Sequence, residues 1–208
     1  MSAATSTSPA PDPEQISASS AARRRDQAHY ARLDQLTAAG RSSGRPLGPL
    51  LATTHRGQQV DWRDLSQGHS LVVVFVKQGC PCSLEFQQHF NRLAATYEDR
   101  VSLVGVIDGS IEVAERYVTA NEVPYPVLAD ADRQLIHEFA VPAAAYVALI
   151  DQREIGGQAT LQMLWPGCSI EMMHDLVGRL ADKLGEPPRV IDFSGLPGAL
   201  TTGCPFAQ

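Results

Sequence analysis

The feature that most constrains this chain is an apolar run that ends in two cysteines, LVVVFVKQGCPCSLEF, residues 71–86. The continuous β-branched and aromatic residues of Leu71–Val76 are typical of a strand that is buried on both faces of a sheet. From Pro81 to Tyr97 the apolar positions recur at steps of four and three, which predicts a helix. The run therefore predicts a strand that leads, through Cys80, directly into a helix.

The rest of the chain predicts more strands and helices around this unit. A hairpin is expected to turn at Arg56-Gly57, because glycine suits tight turns. A strand, a helix and a second pair of strands before a last helix predict an α/β sandwich with a mixed sheet. The expected elements are a strand at 101–107, a helix at 111–121, a short strand in YPVLAD, a short helix in DRQLIHEFAV, a core strand in AAAYVALID, an edge strand in ATLQMLWPG and a helix at 169–184.

The two ends of the chain predict extensions on one domain. Residues 1–20 are rich in Ala, Ser, Thr and Pro, so we expect disorder, because they bury too little surface to offset the entropy of ordering. Residues 21–49 predict a helix followed by a linker, GRSSGRPLGP. The main domain is expected over residues 50–185. The proline-containing tail, residues 186–208, is expected either to lie on this domain or to extend into solvent.

Charge and composition exclude several classes of protein. The net charge of −6 gives no basic footprint for nucleic acid. No stretch approaches the roughly 20 apolar residues that span a bilayer, so we expect no membrane insertion and a cytoplasmic location. Four cysteines in 208 residues are too few for a disulfide scaffold. In a reducing compartment, closely spaced cysteines indicate catalysis or metal binding instead.

The position of Cys80 predicts an activated thiol. Pro81 suits the first position of a helix, which makes Cys80 the residue that precedes it. Backbone N–H groups near Cys82 and Ser83 are then free to point at the Cys80 sulfur. These donors and the helix dipole favour a thiolate, so we expect a lowered pKa. A thiolate is the nucleophile in disulfide exchange and in peroxide reduction.

The roles of the other cysteines stay open at this point. Cys82 is either a resolving thiol, if the first turn of the helix opens, or a small packed residue. Cys204, in TTGCPF, is either a second thiol that reaches Cys80 or an exposed thiol without a partner. Cys168 is expected to be a packing residue.

A metal site is a further option for these cysteines. Cys80, Cys82 and Cys204 with a histidine offer ligands for zinc or Cu(I), although the second cysteine pair of a structural zinc site is absent. His89 is expected to be hydrogen-bonded or exposed.

Several of these motifs together resemble a known family. From about residue 50 to residue 184, the chain resembles the peroxiredoxin-like redoxins of the AhpC/TSA family, in the thioredoxin superfamily. The segments that carry the resemblance are LVVVFVKQGCP, VSLVGVI, YPVLADADRQLIHEFAV, VPAAAYVALID and LWPGCS. The resemblance implies a thioredoxin-like fold and a cis peptide bond before Pro142, which would lie against the reactive sulfur and shape the pocket.

The resemblance also implies a function. We expect a thiol oxidoreductase in which Cys80 attacks a peroxide or a disulfide, Cys82 or Cys204 completes a disulfide, and a small thiol or a thioredoxin-type protein regenerates the thiols. No cofactor is implied, and a homodimer is an open option. The alternative is a non-catalytic redoxin that binds a partner protein or a soft metal through the same cysteines.

Two departures from the family pattern bear on the activity. The peroxiredoxin arrangement Pro-x-x-x-Thr-x-x-Cys is replaced by Val73 and Lys77 before Cys80, so the hydroxyl that orients a peroxide is missing, while Lys77 offers a positive charge. Ser83 stands where a thioredoxin-type Cys-x-x-Cys motif has its second cysteine. The motif therefore leaves peroxide reduction and disulfide exchange equally open.

Overall fold

A computed structural model describes residues 44–66, 68–98, 100–151 and 159–206. The disordered segment and the helix that we predicted within residues 1–39 lie outside the described residues. All described residues belong to one compact unit, residues 36–208. The described strands are β1 (Arg45–Leu47), β2 (Leu51–Thr54), β3 (Gln59–Asp61), β4 (Ser70–Val76), β5 (Val101–Ile107), β6 (Val127–Ala129), β7 (Val147–Asp151) and β8 (Ala159–Trp165). The helices are α1 (Pro81–Thr96), α2 (Ile111–Ala120), α3 (Gln134–Glu138) and α4 (Ile170–Leu184), with a 3-10 helix at Trp62–Ser66.

The strands form one mixed sheet in the order β1-β8-β7-β4-β5-β6-β2-β3. β4 lies in the middle, parallel to β5 and antiparallel to β7. Every residue of β4 is buried, as the continuous apolar run predicted. The antiparallel pairing of β7 with β8 and the hairpin that joins β2 to β3 also agree with the sequence-based prediction.

Helices and the 3-10 segment cover the two faces of this sheet. Alternate β4 residues, including Val72 and Val74, belong to a core cluster with α1, α2 and α4. On the other face Phe75 packs edge-on against Phe139 at 5.2 Å, and Phe139 in turn packs against Trp62 at 5.4 Å between ring centroids. Burial on both faces fixes β4, and with it the loop that carries Cys80.

The interpretation of residues 40–49 as a linker is wrong for three of them. Arg45–Leu47 form β1, which pairs antiparallel with β8, so β8 is not the edge strand that we predicted. Leu47 is buried, and the Arg45 guanidinium donates a hydrogen bond to the backbone oxygen of Glu138. A three-residue strand needs only a partner strand and one buried side chain. The flanking glycines and prolines therefore hide it in the sequence.

The tail lies on the domain, which decides between the two options that we left open. Phe193, Leu196 and Phe206 are buried. Isolated antiparallel bridges join Thr201 to Cys168 and Pro205 to Ala143. The chain therefore returns after α4 to the end of the sheet at which β4 stops.

Candidate active site

Cys80 lies between the end of β4 and the start of α1, as predicted. Its backbone is extended, with φ −77° and ψ 119°, and the backbone N–H of Leu84 donates to its carbonyl as the first bond of the helix. Gly79, in the preceding loop, has φ +71°, a left-handed conformation that favours glycine. The Asp108 carboxylate accepts a hydrogen bond from the Gln78 N–H at 2.8 Å and ties this loop to the end of β5.

The environment of the Cys80 sulfur favours the thiolate. The residue is only 1% exposed, and burial raises the pKa of its thiol. Hydrogen bonds from the backbone N–H groups and the side chains of Cys204 and Ser83 outweigh this effect, so the pKa lies below its usual value of 9.0. The predicted direction is therefore confirmed, and the Ser83 donor was expected. The second donor, the Cys204 N–H at 3.2 Å from the sulfur, was not predicted.

Ser83 contributes a hydroxyl that our sequence reasoning missed. Its side chain is buried, and it interacts with the Cys80 sulfur while accepting a hydrogen bond from the Lys77 N–H at 3.3 Å. It stands three residues after Cys80, where a helix begins its first turn. The absence of threonine at position 77 therefore does not leave the sulfur without a hydroxyl neighbour. The signal in the sequence was the position of this serine, three residues after Cys80 on the first turn of the predicted helix.

The tail passes over Cys80 as an extended segment. The Ala144 N–H donates to the Cys204 carbonyl at 3.0 Å, and the Gly203 N–H donates to the Ala144 carbonyl at 2.9 Å. The Lys77 ammonium holds the next residue by donating to the Pro205 carbonyl at 2.6 Å. These bonds place Cys204 beside Cys80, although sequence reasoning had no means of fixing its distance.

The thiols of Cys82 and Cys204 both interact with Cys80, and all four cysteines of the chain are free. Burial raises the pKa of Cys82, and the charges of Cys80 and Cys204 and a hydrogen bond with Cys80 raise it further. The hydrogen bond with Cys80, then burial and the charge of Cys80, raise the pKa of Cys204, while Lys77 opposes them. Cys82 and Cys204 are partly exposed, so Cys80 is the buried member of the group.

Pro142 and Cys168 both take part in holding the tail. The Pro142 carbonyl accepts a hydrogen bond from the Phe206 N–H at 2.9 Å. The family resemblance implied a cis peptide bond before Pro142. This prediction is wrong, since the described residues contain no cis peptide bond. Cys168 is fully buried, as expected of a packing residue, and burial raises its pKa to about 12.

A chain of buried polar side chains supports the first turn of α1. The Tyr117 hydroxyl donates to the Gln87 amide oxygen at 2.7 Å and lies 3.2 Å from the Ser83 carbonyl oxygen. The Gln87 amide nitrogen donates to the Tyr125 hydroxyl at 2.7 Å. Because these groups are buried, their bonds hold the turn that contains Ser83 in place.

His89 differs from our expectation that it would be hydrogen-bonded or exposed. It is fully buried, and neither ring nitrogen makes a hydrogen bond of normal geometry. Its ring lies 6.4 Å from that of Phe193 in the tail, which also packs edge-on against His174 at 5.7 Å. Burial and the charge of Arg92 lower the pKa of His89, while Asp192 opposes them. Complete burial of this ring is a tertiary property that the helix pattern does not reveal.

The described residues also bear on the expectations about metal binding and membrane insertion. No group of three or more His, Cys, Asp or Glu side chains among them has an arrangement that would hold a metal ion. Among the same residues, no helix is both long and apolar enough to cross a membrane.

A mixed sheet with helices on both faces, and a cysteine between a central strand and a helix, define a redoxin with a thioredoxin-like fold. The model of the AhpC/TSA family matches residues 44–158, which is more than half of the chain. The chain belongs to the AhpC/TSA family. No curated protein matches it.

Solved structures share this fold at low sequence identity. The bacterioferritin comigratory protein of Xanthomonas campestris, which is described with alkyl peroxide reduction activity, matches with 19% identity, a TM-score of 0.54, 64% coverage of this chain and 91% of its own. A hypothetical protein of Sinorhizobium meliloti 1021 matches with 14% identity, a TM-score of 0.61, and 79% and 93% coverage. A secreted disulfide oxidoreductase of Mycobacterium tuberculosis, homologous to E. coli DsbE, matches with 21% identity, a TM-score of 0.51, and 64% and 96% coverage. These likenesses support the fold, and the family supports thiol-dependent oxidoreductase chemistry in general.

Proposed function

We propose that this protein reduces hydroperoxides through Cys80 and that Cys204 is the resolving thiol. One observation carries the proposal: a buried sulfur with a lowered pKa lies under a tail that holds a second thiol beside it. A sulfur that is only 1% exposed favours a small oxidant over a folded partner protein. Ser83 and the backbone N–H groups supply donors near the reacting atoms, as the threonine of the usual pattern would.

The chemistry has two steps before regeneration. The Cys80 thiolate attacks the terminal oxygen of the hydroperoxide, the O–O bond breaks, and the alkoxide takes up a proton and leaves as an alcohol, or as water from hydrogen peroxide. The Cys204 thiol then attacks the Cys80 sulfenic acid, forming a disulfide and releasing water. The tail has to lift to admit the oxidant, and its return brings Cys204 to the sulfur.

Regeneration needs an external thiol. Two equivalents of a small thiol or one thioredoxin-type dithiol reduce the disulfide and become oxidised themselves. A cytoplasmic location, which supplies such thiols, is part of this proposal. Pro142 is proposed to shape the site by holding the tail through its carbonyl oxygen rather than by touching the oxidant.

The test is consumption of hydrogen peroxide with dithiothreitol as reductant. We expect Cys80→Ser to abolish turnover and, in a parallel reaction without dithiothreitol, Cys204→Ser to trap a sulfenic acid that dimedone labels at Cys80. Cys168→Ala removes the fourth thiol but keeps the backbone bonds through which residue 168 holds the tail, so it is the matched control and should retain turnover. Turnover of Cys80→Ser at the wild-type rate would refute the proposal.

Disulfide exchange is a second candidate, because the same thiol pair also suits it. If wild-type protein is inert to hydroperoxides but reduces insulin disulfides in a reaction that needs Cys80, disulfide exchange replaces peroxide reduction. If it performs neither reaction and purifies with stoichiometric metal, the non-catalytic alternative replaces both.

A further inference from the structure

The arrangement of the thiols gives Cys82 a place in the reaction. Cys80 is buried, whereas Cys82 and Cys204 are both partly exposed and both interact with it. Cys82 is the second residue of α1, two positions after Cys80, and Cys204 lies over the same sulfur on the tail. The three thiols therefore form one group in which the outer two are open to solvent.

We propose that Cys82 is the last member of a three-thiol relay that moves the disulfide from the buried sulfur to the two outer ones. This inference rests on the proposed function, because it starts from the Cys80–Cys204 disulfide. The Cys82 thiolate attacks the Cys204 sulfur, a Cys82–Cys204 bond forms, the Cys80–Cys204 bond breaks, and Cys80 leaves as a thiolate. The proton of Cys82 goes to solvent. The step is an isomerisation, so it needs no further oxidant or reductant.

The environment of Cys80 gives the exchange its direction. In disulfide exchange the thiol with the lower pKa leaves faster. Cys80 is the sulfur that receives hydrogen bonds from Ser83 and Cys204, and its pKa is lowered, whereas that of Cys204 is raised. Attack on the Cys204 sulfur expels the stabilised Cys80 thiolate, while attack on the Cys80 sulfur would expel the poorer leaving group.

The order of events follows from the charges at the site. Besides burial, the charges of Cys80 and Cys204 and the hydrogen bond with Cys80 hold the pKa of Cys82 above its usual value. Cys82 is therefore a poor nucleophile while Cys80 is a thiolate. Once Cys80 and Cys204 share a disulfide, neither carries a charge, so Cys82 loses its proton more readily. The nucleophile of the second step becomes available only after the first.

The relay has two consequences for turnover. In the Cys80–Cys204 disulfide only the Cys204 sulfur belongs to a partly exposed residue, whereas in the Cys82–Cys204 disulfide a reductant can attack either sulfur. Cys80 also returns to the thiolate before any reductant arrives. Wild-type protein without reductant should therefore consume close to two equivalents of peroxide, one to form the disulfide and one to convert Cys80 to a sulfenic acid.

The test adds one equivalent of hydrogen peroxide and blocks the remaining thiols with N-ethylmaleimide. Mass spectrometry then maps the disulfide, with backbone fragmentation between residues 80 and 82 to distinguish Cys80 from Cys82. We expect a Cys82–Cys204 disulfide with the label on Cys80. In Cys82→Ser and Cys82→Ala we expect Cys80–Cys204 to persist and peroxide uptake to fall to one equivalent. If Cys82→Ser and Cys82→Ala give the same linkage and the same peroxide uptake, the effect is due to loss of the thiol, because the two side chains pack differently.

The outcomes separate this inference from the proposed function. A wild-type end product with the Cys80–Cys204 linkage and the label on Cys82 overturns the relay and leaves the proposed function standing. A Cys80–Cys82 linkage overturns the relay as well, since Cys204 would then take no part in it. A protein that forms no disulfide and consumes no peroxide refutes the proposed function itself.

Discussion

Gly203→Ala should separate docking of the tail from the chemistry of its thiol. A β-carbon at position 203 would lie 2.9 Å from the Ala144 β-carbon and 3.1 Å from the Ala144 carbonyl carbon and oxygen. The neighbour that it meets is a backbone with a short side chain, so the tail itself has to move. That movement would stretch the Gly203 N–H bond to Ala144 and shift the Cys204 N–H from the Cys80 sulfur, now at 3.2 Å.

The expected size follows from the cost of overpacking, about 1–3 kcal/mol. Applied to the equilibrium between the docked and lifted tail, this cost lowers the docked-to-lifted equilibrium constant roughly 5- to 150-fold, since about 1.4 kcal/mol is a factor of ten. The Cys80 sulfenic acid should therefore live longer before Cys204 captures it. The Cys80 pKa should rise as well, because one of its hydrogen-bond donors is displaced.

Two measurements test this prediction. Competition between dimedone and disulfide formation reports the lifetime of the sulfenic acid, and amide hydrogen exchange at Ala144, which donates to the Cys204 carbonyl, reports docking of the tail. Gly198→Ala is the matched control in the same tail, because nothing lies within 4 Å of a β-carbon there. If Gly203→Ala matches both wild type and this control in both measurements, docking of the tail is not what brings the two thiols together.

The other predictions concern single side chains around the site. Ser83→Ala removes one hydrogen-bond donor to the Cys80 thiolate, and such a bond contributes about 1.5 kcal/mol. The pH profile of the reaction with peroxide should therefore move up by about one pH unit, and Ser83→Thr should stay close to wild type. An unmoved profile would contradict the role of this hydroxyl. Lys77→Met removes both the positive charge that lowers the pKa of Cys204 and the hydrogen bond to the Pro205 carbonyl. Disulfide formation should therefore slow at neutral pH, and equal rates in this variant and in wild type would refute this. The pKa of buried His89 is lowered from 6.5, so the unfolded chain binds a proton more readily than the folded one, and the free energy of unfolding should fall as the pH drops below 6.5. In a pH series of urea titrations, His89→Phe should reduce this fall. An unchanged dependence of the free energy of unfolding on pH would count against the prediction.

The local part of the site could be predicted from the sequence because its interactions join neighbouring residues. The apolar run of β4 and the proline after Cys80 fix a strand, a loop and a helix start within residues 70–84. The lowered pKa of Cys80 follows in part from this local geometry, since Ser83 lies on the first turn of the same helix. The mixed sheet was also predictable, because the order of strands and helices restricts their connections.

Only the tertiary structure decided what lies opposite Cys80. The contact between the Cys204 N–H and the Cys80 sulfur joins residues 124 positions apart. It depends on the bridges of the tail to Ala143 and Cys168 and on the close approach at Gly203, none of which leaves a periodic pattern. The same holds for β1 and for the buried ring of His89. Neighbouring side chains determine strands and helix ends, whereas contacts between distant segments depend on how the whole chain packs.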